Sequence, residues 1–114
     1  MSLSINTSIS ALQALGTKQS VTANNIANSE TAEFKKSRTV LEEGATGAVS
    51  AKVQPVNTPG TMVNLPDGGI EETSNVDLAQ EVTEMIPTKH AYAANLAALK
   101  TTAEMEDSVL DLIG

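Results

Sequence analysis

Apolar residues recur along this chain at steps of three and four near both ends and at steps of two in the middle. These spacings separate a helix face from a strand face. Near the N-terminus, Ile5, Ile9, Leu12, Leu15, Ala23 and Ile26 define one face of a predicted helix over residues 5–28. The same stretch is rich in serine, threonine and asparagine and is interrupted by Gly16. Such side chains compete for backbone hydrogen bonds, so the helix is expected to be weak alone and to need a partner surface. The run Asn24-Asn25-Ile26-Ala27-Asn28-Ser29 predicts its end, because asparagine tolerates the left-handed conformation that closes many helices. Residues 30–38 are then polar, with Phe34 as their one large apolar anchor.

The middle of the chain differs in kind. Val49, Ala51 and Val53 alternate as in a short strand, and Pro55, Pro59 and Pro66 lie nearby with Pro59-Gly60 and Asp67-Gly68-Gly69 as turn signals. From Ser74-Asn75-Val76-Asp77 onward the helical rhythm returns. Ser74 followed by Asp77 approximates a capping box, and Asp77 is placed to favour the positive helix end. Leu78, Val82, Met85, Lys89, Tyr92, Leu96, Leu99, Ala103, Glu106, Leu110 and Ile113 then follow at alternating steps of four and three, a coiled-coil-like seam. Pro87 falls inside it and is expected to kink the helix or split off its first turns. The predicted fold is mainly α: two long terminal helices in an antiparallel coiled-coil-like hairpin around a small β-rich or irregular insert. The segments are residues 1–36, 37–73 and 74–114.

Composition sharpens this picture. Of the 114 residues 40% are hydrophobic, but alanine dominates that fraction, and Phe34 and Tyr92 are the only aromatics. Alanine supports helices while burying little area, so slim packed helices fit better than a thick core, and a free monomer is expected to be marginal. There is no cysteine, which excludes disulfides and thiolate chemistry. No apolar stretch approaches the ~20 residues of a membrane span, so no membrane insertion is expected. The segment Met1–Asn6 lacks a basic and then continuous apolar pattern, so no cleaved secretory signal is expected.

The net charge of −7 argues against nucleic acid as a partner. Its bases sit mainly in the first half (Lys18, Lys35, Lys36, Arg38, Lys52), whereas the second half is strongly acidic. That asymmetry fits either a solvated acidic helix face or two halves that meet with unlike charge. Candidate chemistry is sparse. His90 is the sole histidine, so no histidine metal cluster or Ser-His-Asp arrangement can be built. The adjacent acids Glu42-Glu43, Glu71-Glu72 and Glu106-Asp107 point apart where they lie on a helix and have no evident apolar pocket to tune them. No phosphate-binding loop is present, and Met62, Met85 and Met105 read as packing residues. Neither an enzyme nor a cofactor or small-molecule substrate is predicted.

Two segments resemble the flagellar basal-body rod family. Residues 11–35, with Asn24-Asn25-Ile26-Ala27-Asn28 followed by Thr31-Ala32-Glu33-Phe34-Lys35, are similar to its N-terminal signature. Ser74-Asn75-Val76-Asp77-Leu78-Ala79, with Met85-Ile86 and Tyr92 through Asn95, is similar to its C-terminal one. Glu33 stands where that family commonly has glycine. The resemblance implies a structural rod subunit of proximal-rod type, whose terminal helices assemble into a helical axial tube that transmits torque. It implies as partners further copies of itself, other rod subunits and the flagellar type III export apparatus. It also implies a place in the periplasm-spanning rod, reached without a cleaved signal. The residues expected at the assembly interface are Ile5, Ile9, Leu12, Leu15, Ile26, Leu78, Val82, Met85, Tyr92, Leu96, Leu99, Leu110 and Ile113. Asn24, Asn25, Asn28, Phe34, Ser74, Asn75 and Asp77 carry the signatures. A small acidic helical adaptor, or an export-chaperone-like protein, is the alternative reading of the same pattern.

Overall fold

Long helix-favouring runs form helices at both ends, with Gly16 inside the first and Pro87 inside the second. The structure, a computed structural model, describes residues 2–114, with side chains from residue 5 onward. Met1, the first residue of the predicted 1–36 segment, lies outside the described residues. The elements in order are α1 (Ser2–Ala27), β1 (Ser37–Glu43), β2 (Val49–Pro55), β3 (Met62–Asn64), β4 (Ile70–Glu72) and α2 (Leu78–Ile113).

The start of α2 corrects the expected capping box. Asp77 itself is the N-cap, its carboxylate accepting from Ala79 N at 3.1 Å and Gln80 N at 3.3 Å. Ser74 instead accepts from Val76 N through its hydroxyl at 3.2 Å, forming a short turn that leads into the cap. Pro87 does not split the helix, which runs unbroken from Leu78 to Ile113. Proline removes one N–H, leaving the Thr83 carbonyl without its usual donor. With more than two helical turns on the N-terminal side, that local loss is absorbed.

The insert is ordered as two hairpins. β1 pairs antiparallel with β2 from Ser37 opposite Pro55 to Glu43 opposite Val49. Their turn places Gly47 at φ 83°, a conformation a side chain would disfavour. β3 pairs with β4 from Met62 opposite Glu72 to Asn64 opposite Ile70. The first hairpin does not project from the helices. It doubles back along α1, so that Ser37 adjoins Asn25 and Val49 N donates to the Ser10 hydroxyl at 3.0 Å. The second hairpin packs on no other regular element.

The molecule measures 78 × 24 × 15 Å, and its radius of gyration is 20.1 Å. A compact chain of this length would have about 13 Å. At 1.5 Å per residue α2 runs about 54 Å and outreaches α1 by about 15 Å. Little apolar material is enclosed: Ala14 and Leu15 are the buried hydrophobic side chains among the described residues. Buried beside them are Thr22, Asn25, Ser74, Glu81 and Thr88, all polar. Such a core supplies on the order of a few kcal/mol, little against the ordering of so extended a chain.

Where β4 leads to α2, the backbone passes very close to Gly60. A Cβ there would sit 1.9 Å from the Thr73 carbonyl oxygen. Gly60→Ala should therefore destabilise the fold by about 1–3 kcal/mol through forced backbone movement. Urea denaturation followed by circular dichroism reads this shift, and an unchanged midpoint would contradict the close approach.

Candidate functional site

Two asparagines at the end of α1 and the start of α2 form the joint of the molecule. Asn25 is 2% exposed and faces the first residue of β1. Its Oδ1 accepts from Ser37 N at 3.1 Å while its Nδ2 donates to Ser37 O at 2.8 Å, as a neighbouring strand would. The same Nδ2 reaches Glu81 Oε2 on α2 at 3.3 Å. One side chain thus ties α1, β1 and α2. Asn75 mirrors it from the other side: its Oδ1 accepts from Lys36 N at 2.7 Å, and its Nδ2 donates to Val56 O at 2.8 Å and Thr58 O at 2.9 Å. Its own N–H donates to Phe34 O at 3.2 Å.

Between these amides lies a left-handed turn residue. Glu33 has φ 62°, and its N–H donates to Glu72 O at 2.9 Å. An asparagine was expected to take the left-handed conformation, but among the described non-glycine residues Glu33 is the one with positive φ. The helix end closes differently: Asn28 N–H and Nδ2 both donate to Asn24 O, at 3.1 and 2.9 Å, and Asn28 Oδ1 accepts from the Thr31 hydroxyl. Glutamate thus adopts the conformation for which glycine is suited, held there by the Glu72 contact. Glu72 is itself clamped by the Lys35 ammonium and by Gly60 N–H at 3.0 Å. The Lys35 hydrogen bond, then the Gly60 N–H, hold its carboxyl below the usual range. Because the folded-state pKa is depressed, the clamp stabilises above the unfolded value of 4.5 and is lost as pH falls through the lower folded one.

Charge also meets at this joint. Lys18, Lys36 and Arg38 from the first half line one cleft with Glu81 and Glu84 from the second. About 20 Å³ remains between them, room for one water.

The helix faces are arranged less simply than their apolar spacing implies. On α1, Leu15 is buried, Ile5, Leu12 and Ile26 are half-buried, and Ile9 is exposed. On α2, Leu78, Val82, Tyr92, Leu96, Leu110 and Ile113 are exposed, with Met85 and Leu99 half-buried. The shielded face of α2 includes a polar heptad, Glu81, Thr88, Asn95 and Thr102, of which Glu81 and Thr88 are buried, interleaved with half-buried Met85, Ala91 and Leu99. Three of the heptad residues satisfy their polar atoms on their own helix: Thr88 Oγ1 donates to Glu84 O, Asn95 Nδ2 to Ala91 O and Thr102 Oγ1 to Ala98 O, each at 2.9 Å. The apolar seam gave no sign of this polar line, which lies one position before it along the helix. Glu81 was missed because a carboxylate carries no periodic apolar signal.

Beside this line an open, mostly apolar groove of about 390 Å³ runs between the helices, bounded by Leu15, Gly16 and Ala23 on α1 and by Thr88, Lys89 and Tyr92 on α2. At the far end of α2, Leu112 and Ile113 are 86% and 76% exposed. His90 is exposed, and no cluster of His, Asp and Glu suited to a metal ion occurs among the described residues. No helix among them is long and apolar enough to cross a membrane.

Both halves of the joint fall inside matched family segments. Residues 5–35 match the family described as flagella basal body rod protein, and residues 68–112 match the flagellar basal body rod FlgEFG protein C-terminal family. Together these span about two thirds of the chain, in the same order as the two signatures. No curated protein matches the chain. This chain belongs to the flagellar basal-body rod family, whose members are structural components of the rod rather than enzymes.

The joint predicts a contrast between neighbouring asparagines. Asn25→Ala strands Ser37 N–H, Ser37 C=O and Glu81 and should cost about 1–3 kcal/mol. Asn24→Ala, at an exposed position, should shift stability by no more than about 0.5 kcal/mol. Parallel urea titrations measure the difference; equal effects would contradict the hub.

Proposed function

We propose that this chain is a self-assembling subunit of the flagellar rod, joining neighbouring copies and other rod subunits through its terminal helices into an axial tube that carries torque. The observation that carries the reading is the exposed apolar seam of α2 together with its protruding end. Leu78, Val82, Tyr92, Leu96, Leu110 and Ile113 repeat with coiled-coil spacing yet remain open in the single chain. Repeating contacts of this kind are heterologous and extend into a filament. Within the subunit, α1 and α2 run antiparallel in a hairpin. Supporting this, Asn25 meets Glu81 near one end, while Leu15, farther back on α1, shares the groove with Tyr92, farther forward on α2.

The small insert favours a proximal-rod type of subunit. Export proceeds through the flagellar type III apparatus without a cleaved signal. Residues 1–32 hold fourteen serine, threonine and asparagine residues and no aromatic. Such a segment gains too little from burial to offset ordering costs of about 1–2 kcal/mol per residue. It travels largely unfolded and completes α1 only beside its neighbours, which keeps subunits from polymerising before export. An adaptor would bind one partner at fixed stoichiometry, whereas a rod subunit adds copies without a fixed limit.

Deleting residues 109–114 tests the reading. The truncated protein should remain soluble and secreted but fail to assemble, and cells carrying it should lose motility. Normal motility and normal assembly from the truncation would overturn the role of the α2 end.

A further inference from the structure

The joint encloses a carboxylate that has no ion pair. Glu81 is 5% exposed on α2, and the hydrogen bond it accepts from Asn25 Nδ2 is long, at 3.3 Å. Lys18, Lys36 and Arg38 line the same cleft, yet among the described residues none of them forms an ion pair with it. A buried charge in that state is costly unless a further polar group reaches it. A second group in the cleft is also unsatisfied. Thr39 lines it from β1, on the strand face that Ser37 shares, and its buried Oγ1 has no hydrogen-bond partner among the described residues. Such an atom ordinarily finds a partner in the protein or in ordered water. β1 and α2 do not pack directly on each other, so the two groups meet only across the cleft. Its volume of about 20 Å³ is that of a single water site.

We propose that this cleft binds one structural water, which accepts from the Thr39 hydroxyl and donates to the Glu81 carboxylate. The remaining lone pair of the water faces the cationic wall of Lys18, Lys36 and Arg38, so those charges reach Glu81 through it. The lining selects water over an ion: a cation would meet three like charges, and an anion would meet Glu81 and Glu84. The water also completes the joint. Asn25 ties α1 to β1 and α1 to α2, which leaves the third side, β1 to α2, without a direct bond from either amide. Closing that side fixes the first hairpin relative to the helix that carries the exposed apolar seam.

Thr39→Val tests the site, because valine keeps a β-branched side chain suited to a strand while deleting the hydroxyl. Oxygen-17 magnetic relaxation dispersion on the full-length chain counts long-lived waters without interference from exchanging protons. Its amplitude should fall by about one water per chain in Thr39→Val and stay unchanged in Thr39→Ser, which retains the hydroxyl. Circular dichroism establishes that the variants compared are folded. High-resolution diffraction from wild-type crystals decides the matter even where the valine variant does not fold. A density peak within hydrogen-bond reach of both Thr39 Oγ1 and a Glu81 carboxylate oxygen is expected. Equal amplitudes for the wild type and a folded Thr39→Val would overturn the site. Density showing Lys18, Lys36 or Arg38 in direct contact with Glu81 across the cleft, or an ion in place of the water, would overturn it as well.

Discussion

The structure depends on two primary amides replacing contacts that a hydrophobic core would otherwise provide. Asn25 pairs with both backbone groups of Ser37 as a strand would, and the same amide reaches Glu81. Asn75 does the corresponding work for Lys36, Val56 and Thr58. Each amide offers two donors and an acceptor of fixed geometry, so it sets the relation of several chain segments at once. Buried networks of this kind are costly when half satisfied and confer a unique arrangement when complete. Glu33, Lys35, Glu72 and Gly60 add a second layer that pins the turn between them.

With its order set at the joint, the rest of the molecule can afford to be open. Both helices lead away from it, and past Leu15 the enclosed apolar surface thins out. The shielded stripe of α2 mixes Glu81, Thr88, Asn95 and Thr102 with Met85, Ala91 and Leu99, so its cover is only partly hydrophobic. Most of the large apolar side chains between Leu78 and Ile113 face outward. In an isolated globular protein that distribution would be a liability. In a family of rod components it leaves each subunit a large surface open to neighbours.

The sequence made the helices legible because a 3.6-residue rhythm persists through both, and both signatures stood out because Asn24 to Asn28 and Ser74 to Asp77 are unusual runs. The β-rich insert was visible through the alternation of Val49, Ala51 and Val53. Three features were not legible. Apolar spacing marks a face to be covered but says nothing about whether its own chain or another covers it, so the seam of α2 fitted an intrachain hairpin and an assembly interface alike. Turn residues alone suggested a left-handed asparagine, whereas hydrogen bonds to distant Glu72 moved that conformation to Glu33. The first hairpin's return along α1 includes the Ser10 hydroxyl meeting Val49 N–H, a pairing separated by 39 residues that no local pattern encodes.

Amide hydrogen exchange on a dilute, verified monomer and on the assembled protein tests most directly the claim that α1 is completed by assembly. In the monomer, residues 5–20 should exchange freely while residues 90–105 are measurably protected, and assembly should raise the protection of residues 5–20 to a comparable level. Equal and strong protection of both segments in the monomer would contradict the coupling of folding to assembly.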